Sequence, residues 1–412
     1  MDKVYEPKGK ISLFSRKETR IFFVTLQSYT GKMDSKKDDI LNQYEQYLRQ
    51  DEPSKHKKAL TWATSIGLQQ VDGLQTSEYL HSVARRNIED EITTAEGQRL
   101  IASYYEQLSA RQEIQLKETE EADRAAANIA HILSTATLDF TTHGLKMLHR
   151  QIFKGFFKHA GEFRTYDITK KEWVLRGASV LYLGYTDLQR AVDYDIELER
   201  QFSYSSLSTD EIVQHITRFV AGLWQIHPFG EGNTRTTAVF TIQYLRSLGF
   251  DVDNGMFANH SWYFRNALVR ANYKSARVDY EPVFLERFFR NLLLGEQWEL
   301  RNRYLLIGAE GVMPNKHRTS AEQAPNKLDE PSSNVAALVM VIGNQQLKVS
   351  EVMTTIGLKH RPTFLANYLT PAIEAGFVTM LYPDSPRHPR QRYRLTPKGI
   401  MFYHTQSTDN NR

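Results

Sequence analysis

The chain has 412 residues, with Lys and Arg numbering 52 against 48 Asp and Glu, and 41% of its residues are hydrophobic. Such a length exceeds one ordinary domain of about 100–200 residues, so two or three are expected. Zero cysteines exclude disulfides, thiolate nucleophiles, Cys-ligated zinc and iron–sulfur clusters, and a net charge of +4 confines any nucleic-acid surface to a local patch.

Residues 1–60 are polar and Lys-rich, an N-terminal arm with short apolar patches. Its apolar run Ile21–Leu26 is too short for a secretory core, and no segment of the chain reaches the roughly 18–20 apolar residues of a membrane span. A cytoplasmic protein without a membrane partner is expected. Residues 61–120 form a helical region and residues 121–305 a catalytic core. Apolar residues recur near i, i+3, i+4 and i+7 in Glu78–Asn87, Gly97–Leu116, Glu121–Leu133, Leu145–Phe157, Leu188–Phe202, Glu211–Ile226 and Arg235–Leu248. One interruption, Glu162–Thr186, is rich in β-branched and aromatic residues around Arg176-Gly177 and predicts a β-hairpin. Residues 306–334, with Gly308, Gly311, Pro314, Pro325 and Pro331, read as a linker. Residues 335–407 then give helices over Val335–Ile342, Val349–Ile356 and Arg361–Ala375, followed by Phe377–Tyr382 and Tyr393–Leu395. That order, three helices and a two-stranded wing, is the winged helix-turn-helix. The fold class is mainly α.

The densest chemistry lies in His227-Pro228-Phe229-Gly230-Glu231-Gly232-Asn233-Thr234-Arg235-Thr236, between two helical patterns. A loop entering a helix N-terminus presents unpaired N–H groups and a positive dipole end, both suited to phosphate. Gly232-Asn233 suits the left-handed conformations of an anion nest. Glu231 is a hard oxygen ligand for Mg²⁺ bridging phosphates. Arg235 is placed to fork onto a phosphate oxygen, and His227 to act as general base on an attacking hydroxyl.

At these residues the chain resembles the Fic (Fido) family, whose motif runs His-x-Phe-x-Asp/Glu-Gly-Asn-Gly-Arg-x-x-Arg. His227, Phe229, Glu231, Gly232, Asn233 and Arg235 match at the right spacing. The resemblance covers roughly residues 70–295. It includes Gly161-Glu162-Phe163-Arg164, similar to the family's Gly-x-Tyr/Phe-Arg, and Ser261–Leu268, which resembles the helix beside the nucleotide base and contains Tyr263. It implies a Fic-type helical bundle whose hairpin is a flap that holds a target segment by strand addition. It further implies a protein adenylyltransferase that uses Mg²⁺ and ATP as co-substrate to move AMP onto a Ser, Thr or Tyr hydroxyl of a target protein or of itself. The nucleotide would be held by Gly230, Gly232, Asn233, Thr234, Arg235 and Tyr263, the metal by Glu231, and the hydroxyl proton taken by His227.

Two departures bear on the donor. Thr234 stands where the family has Gly, and Ala238 where it has a second Arg that contacts the γ-phosphate. Arg265 and Arg270 are the candidates to replace that cation. A phosphotransferase of the same fold using another nucleotide is therefore an alternative. So is a DNA-binding regulator whose degenerate core senses nucleotide. Family members often carry an inhibitory helix reading Ser/Thr-x-x-x-Glu-Gly/Asn. Ala84–Asp90 resembles it in position and places Glu89 as the inhibitory carboxylate, although Arg85 and Asp90 depart from the pattern.

Between Lys348 and Arg412 nine Lys/Arg face four Asp/Glu, and Arg387, Arg390, Arg392 and Arg394 cluster on the wing. DNA binding through that wing is one expectation. Winged helices also dock proteins or form homodimers, which is the other.

Overall fold

The computed structural model describes residues 40–110, 117–135, 137–253, 255–308 and 331–409. Most of the expected arm, residues 1–39, and most of the expected linker, residues 309–330, lie outside them, as do 111–116 at the end of the Gly97–Leu116 pattern. Short helical turns at Ile40–Tyr44 and Glu45–Leu48 precede the first long helix, which starts at Pro53.

The long helices are α1 Pro53–Gly67, α2 Glu78–Ile88, α3 Thr94–Ala110, α4 Lys117–Thr135, α5 Thr142–Phe153, α6 Leu188–Gln201, α7 Thr209–Ile226, α8 Asn233–Ser247, α9 Ser261–Asn272 and α10 Val283–Leu294. α1 to α4 close a core of their own around Trp62, Val83, Ile101 and Tyr105. Its one buried indole N–H is satisfied, donating to Asn87 Oδ1 at 2.9 Å. α7 starts at a capping box, Ser208 with Glu211, and buries a stripe of Ile212, Ile216, Val220, Leu223 and Trp224. It packs on α8, which is buried along its whole length from Asn233 to Leu245. The buried threonines there bond locally: Thr236 donates to the Gly232 carbonyl at 2.9 Å.

The expected hairpin over Glu162–Thr186 is not a paired ladder. The chain reverses through a single turn, Trp173–Leu175, with Arg176 and Gly177 at positive φ. Bonds from Glu172 N to Ala178 O and Gly177 N to Glu172 O, each 2.9 Å, close the tip. Beyond the tip the backbone groups bond to side chains instead of to each other. Lys170 N donates to Ser179 Oγ, and Tyr185 N to Asp167 Oδ1. Arg164 takes the carbonyls of Tyr166 and Leu183.

The C-terminal part holds α11 Ser333–Ile342, α12 Val349–Ile356, a third helix that runs from Arg361–Phe364 through a π turn into Thr370–Glu374, then β1 Val378–Met380, β2 Tyr393–Leu395 and α13 Pro397–Asp409. β1 and β2 pair antiparallel, Thr379 opposite Arg394, and form the one sheet among the described residues. This part rests on the core where Gly249 and Gly376 approach so closely that a Cβ on Gly249 would lie 2.0 Å from the Gly376 carbonyl oxygen. A cavity of about 320 Å³ opens beside that seat, lined by Glu199, Tyr244, Gln345, Thr379 and Arg394 among others. No helix among the described residues is long and apolar enough to cross a membrane.

Candidate active site

α7 ends and α8 begins around the loop that carries the motif. His227 closes α7 in the left-handed conformation, φ 51°, a costly geometry for a residue with a Cβ. Gly232 opens α8 with φ 70°, and a Cβ there would sit 2.3 Å from the Phe153 ring, so shape and backbone both demand glycine. Asn233 is already helical. Its side chain staples the loop, Oδ1 accepting from Phe229 N at 2.9 Å and Nδ2 donating to Phe229 O at 2.7 Å. Only Gly232 of the expected Gly-Asn pair is left-handed, because Asn233 is spent on Phe229. Thr234 anchors the loop from the other side by accepting the Trp224 indole N–H at 3.0 Å. Gly230 packs against Tyr166, whose hydroxyl would lie 2.8 Å from a Cβ at 230.

Two side chains fix this loop from outside the motif. His149 stacks on Phe229 at 3.8 Å. Its Nδ1 accepts from Gly161 N at 2.9 Å, so its Nε2 carries the proton and donates to the Glu231 carbonyl at 3.1 Å. Burial lowers its pKa to about 4, against the bond to Glu231. Arg164 donates from Nε to the His227 carbonyl at 2.9 Å, while its backbone N–H bonds Pro228 O.

His227 is 2% exposed. Its Nδ1 lies 3.3 Å from the Trp224 carbonyl, which assigns the proton to Nδ1, and Nε2 has no hydrogen-bond partner among the described residues. Burial first, then the charges of Lys170, Arg265 and Arg164, hold its pKa well below the usual histidine range. The ring is neutral with a bare lone pair, as a general base must be. Tyr182 lies over it, ring centroids 4.2 Å apart.

The charged residues of the site are matched by counter-charges. Glu231 is exposed and faces the Lys170 ammonium at 3.7 Å. Arg235, 1% exposed, is held by Gln69 at 3.0 Å, Asp72 at 2.7 Å and Glu121. Burial raises the Glu121 carboxyl against the pull of that arginine. Arg265 forms a two-point pair with Glu172, 2.7 and 3.2 Å, and Glu172 also accepts from the Tyr182 hydroxyl at 3.3 Å. Arg270 is engaged with Glu281 and the Leu305 carbonyl.

His227, Gly230, Glu231, Gly232, Asn233, Thr234 and Arg235 thus share one loop. Tyr263 is buried with its hydroxyl directed to Phe284 O at 3.3 Å. Ala238 is fully buried in α8. Glu89 ends α2, where Lys55 at 3.0 Å and then Tyr47 depress its pKa. On the C-terminal hairpin Arg387, Arg390 and Arg394 are exposed, whereas Arg392 donates to Gln346 O at 2.8 Å. Lys170, Glu172, Tyr182 and the partners of Arg235 carry no motif. Their roles come from pairings between residues as many as 166 positions apart.

A metal at this loop fits the donor set in one respect. Among the described residues no group of three or more His, Cys, Asp or Glu is arranged as a cage. Mg²⁺ held largely by substrate phosphates needs only one or two carboxylates, and the exposed Glu231 already attracts a cation, Lys170.

Residues 139–245 match the profile of the Fic/DOC family, and residues 333–396 that of the Fic-like C-terminal domain, "Filamentation induced by cAMP protein Fic-like". The protein adenylyltransferase VbhT of Bartonella schoenbuchensis is 26% identical over 176 residues, which cover 39% of this chain. The match spans about a third of that curated relative's length, 35%. Among solved structures, a Fic family protein from Desulfovibrio desulfuricans G20 aligns over 95% of this chain and 98% of its own at 20% identity and a TM-score of 0.35. The N-terminal FIC domain of Bep8 from Bartonella sp. 1-1C aligns over 41% and 81% at 20% identity and a TM-score of 0.33.

Proposed function

For a chain that carries a Fic/DOC family domain followed by a Fic-like C-terminal domain, we propose a transferase that moves AMP from ATP to a protein hydroxyl. A Ser, Thr or Tyr hydroxyl of a target, or of the chain itself, attacks the α-phosphorus. The bond to the β-phosphate's bridging oxygen breaks, pyrophosphate leaves, and the hydroxyl proton passes to His227 Nε2. The observation that carries this reading is that nitrogen: a neutral imidazole, its proton fixed on Nδ1 by the Trp224 carbonyl and its Nε2 unbonded, beside a left-handed loop at a helix start. Glu231 would hold Mg²⁺, which supplies charge neutralisation to the phosphates when bound. The loop N–H groups orient the nucleotide, and Arg235 joins them only where a phosphate displaces Asp72 or Glu121 from it.

The flap is the surface for the target. Its arms leave backbone groups outside any ladder, and it exposes Leu181 (85%) and Tyr166 (55%) to an incoming strand. The test is intact-mass measurement after incubating the purified chain, and a Ser/Thr/Tyr-rich candidate target, with Mg²⁺ and each nucleoside triphosphate in turn. Addition of one AMP from ATP supports adenylyl transfer. Addition of a bare phosphate, or of another nucleotide's monophosphate alone, replaces it by the phosphotransferase or other-donor reading.

A further inference from the structure

We infer that Arg265 is a phosphate-binding residue of this site and that Glu172 of the flap is the latch that holds it in reserve; the inference rests on the nucleotidyl-transfer reading above. α8 offers no side chain to a phosphate at Ala238, and Arg270 is committed to Glu281 and Leu305. Arg265 is differently placed. Its partner Glu172 accepts from the Tyr182 hydroxyl, and the Tyr182 ring lies 4.2 Å from the His227 ring, which links Arg265 to the motif loop.

The carboxylate that holds it is on the flap. Glu172 is 1% exposed, and both of its oxygens face the Arg265 guanidinium. A phosphate presents the same forked acceptor geometry as a carboxylate, so it can replace Glu172 on Arg265 without leaving a buried cation unpaired. The Trp262 ring, 5.1 Å from the guanidinium carbon, supports Arg265 from the side whichever anion it holds.

The flap has a reason to leave. His227 is 2% exposed with the Tyr182 ring packed over its face, so a hydroxyl reaches Nε2 only when part of this cover, to which Tyr182 belongs, moves. The Tyr182 hydroxyl is bonded to Glu172, so uncovering the base and releasing Arg265 are one displacement. Lys170, on the same segment, simultaneously leaves Glu231. Because the arms of the flap are not laddered together, this movement breaks few backbone bonds.

The experiment measures binding of ATP, and of adenosine as the phosphate-free control, by calorimetry in the presence of Mg²⁺. All chains carry His227→Ala to prevent turnover, and thermal melting confirms that each is folded. Glu172→Gln keeps the side chain's shape and its bond to Tyr182 while removing the charge. It is expected to tighten ATP binding about tenfold, the size of one charge-assisted bond released from competition, and to leave adenosine unchanged. Arg265→Gln is expected to weaken ATP about tenfold and to erase the gain of Glu172→Gln in the double variant, with Arg265→Lys recovering part of the loss. If Arg265→Gln does not fold, Arg265→Lys alone is expected to show a smaller loss of the same kind. Hydrogen exchange at residues 172–178 is expected to rise when ATP is added to the chain with Glu172 intact. Equal ATP affinity with and without Arg265, or no gain from Glu172→Gln, overturns the inference while leaving nucleotidyl transfer standing. Absence of ATP binding in every chain overturns both.

Discussion

At the scale of single residues, the site is held by groups that would be costly to replace. Gly232 meets the Phe153 ring and has a left-handed backbone. Gly232→Ala is therefore expected to destabilise the fold by about 1–3 kcal/mol and to shift the loop, read as a lowered urea midpoint with nucleotide binding lost in the surviving folded fraction. His149 tests the buried-histidine argument. Burial lowers its folded pKa from 6.5 to about 4, so below pH 6.5 the unfolded chain takes up a proton that the folded chain refuses. Stability is then present in full above pH 6.5 and falls as the pH drops toward 4, by up to roughly 3 kcal/mol from this residue. His81, His131 and His227 are shifted the same way by burial. Glu121, Asp123 and Asp195, whose carboxyls burial raises, act in the opposite sense nearer the carboxylate range. Melting temperatures at pH 7.5, 6.5 and 5.5 are expected to decline with acidification, and to decline less in His149→Gln. Parallel lines would place the acid sensitivity elsewhere.

At the scale of elements, Arg164 ties the flap to the motif loop through the carbonyls of His227, Tyr166 and Leu183. Lys in its place cannot fork to several acceptors. Arg164→Lys is expected to cost about 2 kcal/mol or more, through buried carbonyls left unpaired, and to raise hydrogen exchange across residues 164–185. The C-terminal hairpin divides its arginines. Arg392 is tied to Gln346, and Arg394 stands opposite Thr379 at the cavity beside the core, leaving Arg387 and Arg390 at the outer tip. If that tip meets duplex DNA, replacing Arg387 and Arg390 by Ala should reduce the salt slope by roughly 1 for every phosphate no longer neutralised; an unchanged slope assigns the module to protein docking.

The helices were legible because burial imposes a 3.6-residue period, as in α7, where Ile212, Ile216, Val220 and Leu223 mark one face. The loop was legible because its chemistry is contiguous from His227 to Arg235. The flap was not, since its β-branched and aromatic composition says strand while Arg164, Asp167 and Ser179 take the ladder's hydrogen bonds. Nor were the partners of Arg235: Gln69 and Glu121 lie 166 and 114 residues away and belong to helices whose pattern records only their apolar faces.

At the scale of the whole molecule, the Fic-type core and the C-terminal domain meet at two glycines. A Cβ on Gly376 would lie 2.5 Å from the Gly249 carbonyl oxygen, at a position that also has φ 76°. Gly376→Ala must push the two parts apart, and a single thermal transition is expected to separate into two in calorimetry, whereas an unchanged single transition would show that this seat does not couple them. The proposed chemistry depends on one nitrogen, His227 Nε2, as the acceptor of the hydroxyl proton. Its most direct test is the time course of AMP addition from ATP and Mg²⁺, followed by intact mass for the chain as it is and for His227→Ala. Loss of a general base is expected to slow addition by about 10²–10⁴-fold while ATP binding persists; addition at the unaltered rate in His227→Ala would contradict the assignment.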